Sequence, residues 1–186
     1  MTALEKIEAF IPQCEQEEAE KILILDFLRA NDDAFSRENL TAHMTASSWV
    51  LSPDGEKVAM CYHNLYQSWS WSGGHADGEE DLMAVAMREA EEELGVKTHP
   101  VKEGIASLEI LPVQGHIKHG AWVPSHLHMN VTYLLQAESD VLHSRPEENS
   151  AVRWMTPQEA LESSSEPWMV ERVYRKLVNA AEAHMK

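Results

Sequence analysis

The chain has 186 residues, a formal net charge of −16 and an ordinary hydrophobic content of 44%. This length suits one domain with a sizeable core plus an appendage. The acidic balance disfavours nucleic-acid backbones and anionic membrane surfaces as partners, because both attract basic proteins. With only Cys14 and Cys61, a disulfide scaffold and a thiolate zinc site are excluded.

No apolar run approaches the roughly 20 residues of a membrane span. The first residues, TALEKIEAF after the initial Met, lack a basic region followed by an apolar core. We therefore expect a cytoplasmic protein without a membrane partner.

Residues 1–40 predict a helical N-terminal extension. Helices are expected over Thr2–Phe10 and Glu15–Arg29, with the break at Pro12. The second has a broad apolar surface, which favours packing on the main domain or on a second copy in a homodimer. The catalytic domain is expected over residues 41–186.

From Thr45 the pattern changes to that of strands. Thr45–Leu51 and Lys57–His63 flank a Ser-Pro-Asp-Gly turn and predict a hairpin. A further short strand, 66–71, places Trp69 and Trp71 on one face. The two rings favour either a stacking wall for a base or core packing.

A helix is predicted over Leu82–Leu94, ended by Gly95. Glu89, Glu92 and Glu93 share one face of its last turns, where the macrodipole disfavours negative charge by about 0.3–1 kcal/mol for each residue. Two interpretations follow. The glutamates form a solvated acidic face, or they supply hard oxygen ligands for Mg²⁺ or Mn²⁺.

After a strand over 105–111 and a long loop over 112–124, the segment 126–135 alternates as a strand. Its polar face carries His126, His128 and Asn130. The His-x-His pair is compatible with a transition metal, but the sequence identifies no third ligand. A polar face bordering a substrate cleft and an ordinary solvated face are the alternatives.

The C-terminal part predicts a strand over 151–155 and a helix that begins at Thr156-Pro157. A final helix is expected over 168–185. The order of helices, hairpin, helix, strands and helices favours an α/β protein with a mixed (α+β) sheet over a wound parallel sheet.

The segment Gly74–Val96 reads Gly, five residues, Glu80, seven residues, then Arg-Glu-Ala-x-Glu-Glu-x-Gly-Val. This pattern resembles the complete Nudix box, and a random match is on the order of one in 10⁵. The preceding Trp-x-Trp-x-Gly-Gly-His resembles the strand and turn that feed the box. Ser72 departs from the family, where many members carry proline.

The resemblance implies an α/β/α sandwich and an enzyme, a pyrophosphohydrolase that uses Mg²⁺ or Mn²⁺. Its substrate would be a nucleoside diphosphate linked to another moiety. By position in the motif, Glu89, Glu92, Glu93 and the carbonyl of Gly73 would hold the metal. Glu89, Glu92 and Arg88 would be catalytic, with Arg88 orienting Glu89.

The family does not place its general base uniformly, so Glu147 or Glu148 is an alternative to a box glutamate. The surrounding sequence resembles a bacterial branch of the family whose substrate is unassigned. Pro112, where ADP-ribose pyrophosphatases of the family carry proline, favours ADP-ribose-like compounds over oxidised nucleoside triphosphates. Residues expected to border the substrate are Trp69, Trp71, His126, His128 and Asn130. The alternative function is a non-catalytic nucleotide-sensing module, although such modules typically lose box glutamates.

Overall fold

The computed structural model describes residues 1–118, 120–147 and 149–184. The helices are α1 (Ala3–Ala9), α2 (Glu15–Ala30), α3 (Leu82–Leu94), α4 (Pro157–Ser163), α5 (Pro167–Met169) and α6 (Arg175–His184), and a π-helical segment, Val170–Tyr174, joins the last two. The strands are β1 (Ala42–Leu51), β2 (Val58–His63), β3 (Ser68–Ser70), β4 (Ser72–His75), β5 (Thr98–Pro100), β6 (Ser107–Val113), β7 (His116–Lys118), β8 (Ala121–Val123), β9 (His126–Ala137) and β10 (Asn149–Met155). None of the helices in the described ranges is long and apolar enough to cross a membrane.

One mixed sheet of eight strands organises the chain, with the central order β10-β2-β1-β9-β5. β3 and β4 extend from β2 and β1, and β6 pairs with β9. β1 and β9 run parallel, from the pair Ala42↔Leu127 to the pair Leu51↔Gln136. The other pairings among the described strands are antiparallel.

Alternate residues of the central strands contribute to two apolar clusters, as the two-residue period of a strand requires. One cluster joins Met44 and Val50 of β1 to buried residues of α1, α2 and α3. The other joins Trp49 and Leu51 of β1 to α4, the π-helical segment and α6. Helices therefore cover both faces of the mixed sheet, and the predicted α/β/α fold is confirmed.

The N-terminal helices pack on their own domain. Ile7 of α1 and Ile24 of α2 are fully buried in the first cluster, and Lys6 forms a 3.0 Å ion pair with Asp81 at the start of α3. Ile22 remains 61% exposed on α2. A boundary near residue 40 and a homodimer through these helices remain predictions.

A buried ion-pair network ties three elements together. Lys176 Nζ of α6 lies 3.0 Å from Glu17 Oε1 of α2 and 3.2 Å from Glu109 Oε1 of β6, and both carboxylates are inaccessible to solvent. Burial raises the pKa of Glu109. Burial alone would lower the pKa of Lys176, but Glu109 and Glu17 raise it. The ammonium group of Lys176 thus forms ion pairs with two buried carboxylates.

The structure differs from the predicted long loop over 112–124. β6 continues through Val113, and β7 pairs with β8 in a separate hairpin that places Ile117 opposite Trp122. This cross-strand pair stabilises the two strands. The sequence does not predict them, because glycines and histidines interrupt the alternation of polar and apolar residues. His119, expected in the loop, lies outside the described residues.

The strand predicted over 66–71 is also different, because the chain changes partners at Trp71. β3 pairs with β2, whereas β4 pairs with β1. Gly73 and Gly74 consequently lie within β4 rather than in a turn.

Candidate active site

α3 has the bounds that the sequence predicts, Leu82–Leu94, and it ends at Gly95 in the left-handed region with φ of 68°. Its apolar stripe packs on the sheet and follows the helical spacing. The buried apolar members are Leu82, Val85, Ala86, Ala90 and Leu94. Glu89 and Glu93 border this stripe on the side that meets β4.

The two glycines of β4 allow these carboxylates to approach the strand. Gly73 N–H donates a hydrogen bond of 3.0 Å to Glu93 Oε2. A Cβ atom at Gly74 would lie 2.5 Å from Glu89 Cδ. Gly74 is thus required by close packing rather than by a turn conformation.

The three glutamates differ in their exposure to solvent. Glu93 is 5% exposed, and the side chain of Glu89 is 15% exposed, whereas that of Glu92 is 43% exposed. Glu91, which the motif does not fix, is exposed on the same helix. A uniformly solvated acidic face would not bury two of its carboxylates.

Arginines offset the charge of this cluster. Arg88 donates to Glu89 Oε1 over 2.9 Å and to the carbonyl of His75 over 3.2 Å. Arg145, in the segment before β10, donates to Glu92 Oε2 over 2.8 Å. Arg88 thus links the carboxylate of Glu89 to the backbone of β4, and its role in orienting Glu89 remains a prediction.

Glu89, Glu92 and Glu93 supply carboxylate oxygens, the ligands that a hard divalent cation prefers, from neighbouring turns of one helix. Among the described residues, the ligand atoms that already lie together in a group of three or more belong to histidines of the same cleft and not to these carboxylates. Glu80, the remaining acidic residue of the motif, is exposed before α3. The predicted role of the Gly73 carbonyl remains a prediction, since the contact that joins Gly73 to Glu93 involves its N–H group.

These groups open into a cleft of about 1180 Å³. All three glutamates, Arg88 and Arg145 line it. The volume exceeds the roughly 300–1,000 Å³ of a typical small-molecule site and accommodates a nucleotide-sized ligand.

The structure separates the two tryptophans expected to border the substrate. Trp71 lines the cleft but is only 9% exposed, and its ring packs edge-on against Tyr174. Trp69 is not among the described residues that line the cleft; it lies under Arg153, 4.7 Å from the guanidinium carbon to the ring centre. Both tryptophans contact the second apolar cluster.

His126, His128 and Asn130 all line the cleft, on the face of β9 that the sequence marks as polar. Asn130 is 1% exposed. Its Oδ1 accepts from Thr45 Oγ1 over 2.9 Å and from Ser47 Oγ over 3.0 Å. This part of the face is a buried hydrogen-bonded network, so an ordinary solvated face is excluded there.

His43 and His75 carry no local signal in the sequence that marks them as functional residues. In the structure they join His126 and His128 in one group, whose candidate ligand atoms all lie within 4.8 Å of one another. The pairing of His43 with His128 across parallel strands is long-range, and no local pattern signals it. His75 is the first of the five residues between Gly74 and Glu80, which the Nudix box leaves variable.

Of the two alternative general bases, Glu147 lines the cleft. Glu148 lies outside the described residues. The arrangement therefore brings together the box glutamates, two arginines and Glu147, around a cleft that β1, β4 and β9 help to form.

The family model for the NUDIX domain matches residues 41–177. A search of curated protein sequences gives no significant match.

Solved structures share the fold. A NUDIX-family hydrolase from Clostridium perfringens is 20% identical, with a TM-score of 0.51, over 77% of this chain and 96% of that chain. A C. elegans Ap4A hydrolase is 15% identical, with a TM-score of 0.54, over 75% and 98%. The E. coli dihydroneopterin triphosphate pyrophosphohydrolase is 15% identical, with a TM-score of 0.50, over 73% and 95%. At these identities the likeness concerns the fold alone.

The match to the family model covers most of the chain and includes the helix whose glutamates face the cleft. The chain therefore belongs to the Nudix family, enzymes that generally hydrolyse diphosphate bonds in nucleoside diphosphate derivatives.

Proposed function

We propose that this enzyme hydrolyses the diphosphate bond of a nucleoside diphosphate linked to another moiety, with Mg²⁺ or Mn²⁺ held by Glu89, Glu92 and Glu93. The observation that carries the proposal is the inward placement of Glu89 and Glu93 against the glycines of β4. Glutamates on a solvated helix face would extend into water and would not contact the backbone of a neighbouring strand.

A bound divalent cation would neutralise the diphosphate and lower the pKa of a water. The residues of the chain prepare this chemistry. Arg88 fixes Glu89 through its 2.9 Å hydrogen bond, and the Gly73 N–H fixes Glu93. Arg145 presents a cation beside Glu92 at the cleft, where an anionic substrate enters.

Glu92 is the box glutamate best placed to act as general base. Its side chain is the most exposed of the three, and a base must reach a water beside the substrate. Glu147 is the second candidate, because it lines the same cleft from the segment before β10.

For the substrate, ADP-ribose-like compounds remain slightly ahead of oxidised nucleoside triphosphates. Pro112 lines the cleft from β6. The tight packing of Trp71 leaves little of its ring for stacking, whereas Tyr66, 46% exposed in the same cleft, presents a ring to a base.

The proposal also includes a cytoplasmic location and small nucleotides as the partners of the enzyme.

The test is a substrate panel assayed with and without Mg²⁺ or Mn²⁺, covering nucleoside triphosphates, their oxidised forms, ADP-ribose, dinucleoside polyphosphates and nucleotide sugars. We expect metal-dependent turnover that falls by at least about 100-fold in Glu92→Gln. Glu91→Gln, which removes an exposed charge from the same helix, is the matched control and should retain turnover. Equal activity of the two variants, or turnover of non-nucleotide diphosphates alone, would contradict the proposal.

A further inference from the structure

Four histidines meet at one side of the cleft, and none of them belongs to the carboxylate set proposed to hold the hydrolytic metal. His43 comes from β1, His75 from the end of β4, and His126 and His128 from the start of β9. We propose that these side chains bind a transition-metal ion, at a site distinct in its ligands from the carboxylates of α3. The proposal does not depend on the hydrolysis proposed above.

The sheet brings these residues together. In the parallel pairing of β1 with β9, His43 lies directly opposite His128. In the antiparallel pairing of β1 with β4, His75 lies opposite Thr45, two residues along the same face of β1. His126 is two residues before His128 and therefore shares its face. Three adjacent strands thus direct imidazoles to one point.

A buried imidazole nitrogen in this group lacks a partner. His43 is 3% exposed, and its Nε2 atom has no hydrogen-bond partner among the described residues. Its Nδ1 atom lies 3.0 Å from the carbonyl of Asn39, which can only accept, so Nδ1 carries the hydrogen. The lone pair of Nε2 is left for a ligand, and an imidazole held in this way by a backbone carbonyl is typical of metal-binding histidines.

The ring of His126 is likewise held through Nδ1 by a backbone carbonyl. Its Nδ1 atom lies 2.9 Å from the carbonyl of Pro124, which leaves Nε2 as an acceptor. That Nε2 atom accepts a hydrogen bond of 3.2 Å from the Nε2–H group of His128, and a bound ion would take the place of the shared hydrogen. In a tetrahedral site with metal–nitrogen bonds of about 2.0–2.1 Å, neighbouring nitrogens lie about 3.4 Å apart. This pair already has the required spacing.

The whole group is close to the same geometry. The most distant ligand atoms are within 4.8 Å, which exceeds the tetrahedral spacing by about 1.4 Å. The ring centres of His43 lie 4.9–5.1 Å from those of its three neighbours. Small rotations of the half-buried rings, His75, His126 and His128, would bring all four nitrogens to a common ion.

The chemistry of the group favours a cation over an anion. The Nδ1 atoms of His43 and His126 donate to backbone carbonyls, so the Nε2 atoms of both rings are left as acceptors. Neutral imidazoles offer lone pairs rather than positive charge, so a phosphate is a poor occupant. Imidazole nitrogen suits Zn²⁺, Ni²⁺, Cu²⁺ and iron, whereas Mg²⁺ and Mn²⁺ prefer oxygen. The two sites of the cleft would therefore select different metals.

Cobalt(II) reports on such a site, because its visible spectrum intensifies with tetrahedral nitrogen ligands. The full chain, without a polyhistidine tag and stripped by a chelator, is titrated with Co²⁺ in excess Mg²⁺. We expect uptake of about one Co²⁺ ion per chain with an intense visible band, together with an increased melting temperature, because the folded state alone assembles the ligands. Zn²⁺ should displace the Co²⁺ and abolish the band.

His43→Ala and His126→Ala should weaken Co²⁺ binding by at least about 100-fold, since even indirect partners of a metal ligand contribute about 10–100-fold. His126 is only half-buried, so its variant tests the site even if the loss of buried His43 prevents folding. His99→Ala, an exposed histidine on β5, is the matched control and should bind as the wild type does. Glu93→Gln should also retain the band, which separates this site from the carboxylates. Wild-type protein that binds Co²⁺ no more tightly than folded His126→Ala would overturn the proposal.

Discussion

Gly74→Ala tests how closely the active site depends on the contact between β4 and α3. A Cβ atom at this position would lie 2.5 Å from Cδ and Oε2 of Glu89 and 2.8 Å from Oε1. Since carbon atoms pack best at about 3.5–4.0 Å, the carboxyl group must move by about 1 Å or more. A misplacement of about 1 Å costs roughly 100-fold in rate.

We therefore expect Gly74→Ala to lower kcat/KM by about 100-fold, or about 2.7 kcal/mol of transition-state stabilisation. The free energy of unfolding should change by less than about 1 kcal/mol, because only the end of a side chain must move. Steady-state kinetics at saturating Mg²⁺ and thermal unfolding measure the two effects. Gly73→Ala provides the contrast, since its Cβ would meet the backbone of Ser47 and Ala46 and should destabilise the sheet.

A double-mutant cycle makes the test specific. If Gly74→Ala acts through Glu89, it should add little to the loss already caused by Glu89→Ala. Two outcomes would refute this reasoning: activity of Gly74→Ala within a few fold of the wild type, or full additivity of the two changes.

The remaining predictions concern stability. Lys176→Met should destabilise the fold by about 3–5 kcal/mol in chemical unfolding, because Glu17 and Glu109 would be left buried without their cation. Adding Glu17→Gln and Glu109→Gln should restore much of the loss, and no recovery would argue against a charge effect. The hydrogen bond from Lys6 lowers the pKa of Asp81, so this pair stabilises the fold above the ordinary carboxyl pKa of about 3.9, and the contribution is lost as pH falls through the lowered value. Lys6→Met should thus lower neutral-pH stability by less than about 1 kcal/mol for this exposed pair, with a difference that disappears in acid; a constant difference would contradict it.

The sequence predicts well the features that depend on local pattern. The bounds of α3, its end at Gly95 and the start of α4 after Thr156 agree with residue spacing and helix-end chemistry. The position of the glutamates on α3 follows from the helical repeat, and the family motif supplies their expected role.

Contacts between residues far apart in the sequence leave no such local pattern. The four-histidine group depends on the parallel register of β1 with β9, which places residues 43 and 128 side by side across 85 positions of sequence. The network around Lys176 likewise joins α2, β6 and α6. No local periodicity reports which strand neighbours another, so the sequence showed only two of the four histidines as a pair.

The central claim is that Glu93 and its neighbours hold a divalent cation that hydrolysis requires. The most direct measurement compares melting temperature and turnover of wild type and Glu93→Gln, each with and without Mg²⁺. We expect Mg²⁺ to raise the wild-type melting temperature and to raise that of Glu93→Gln less, while the variant loses most of its turnover and keeps its metal-free fold. Equal Mg²⁺ shifts together with equal turnover would contradict the account.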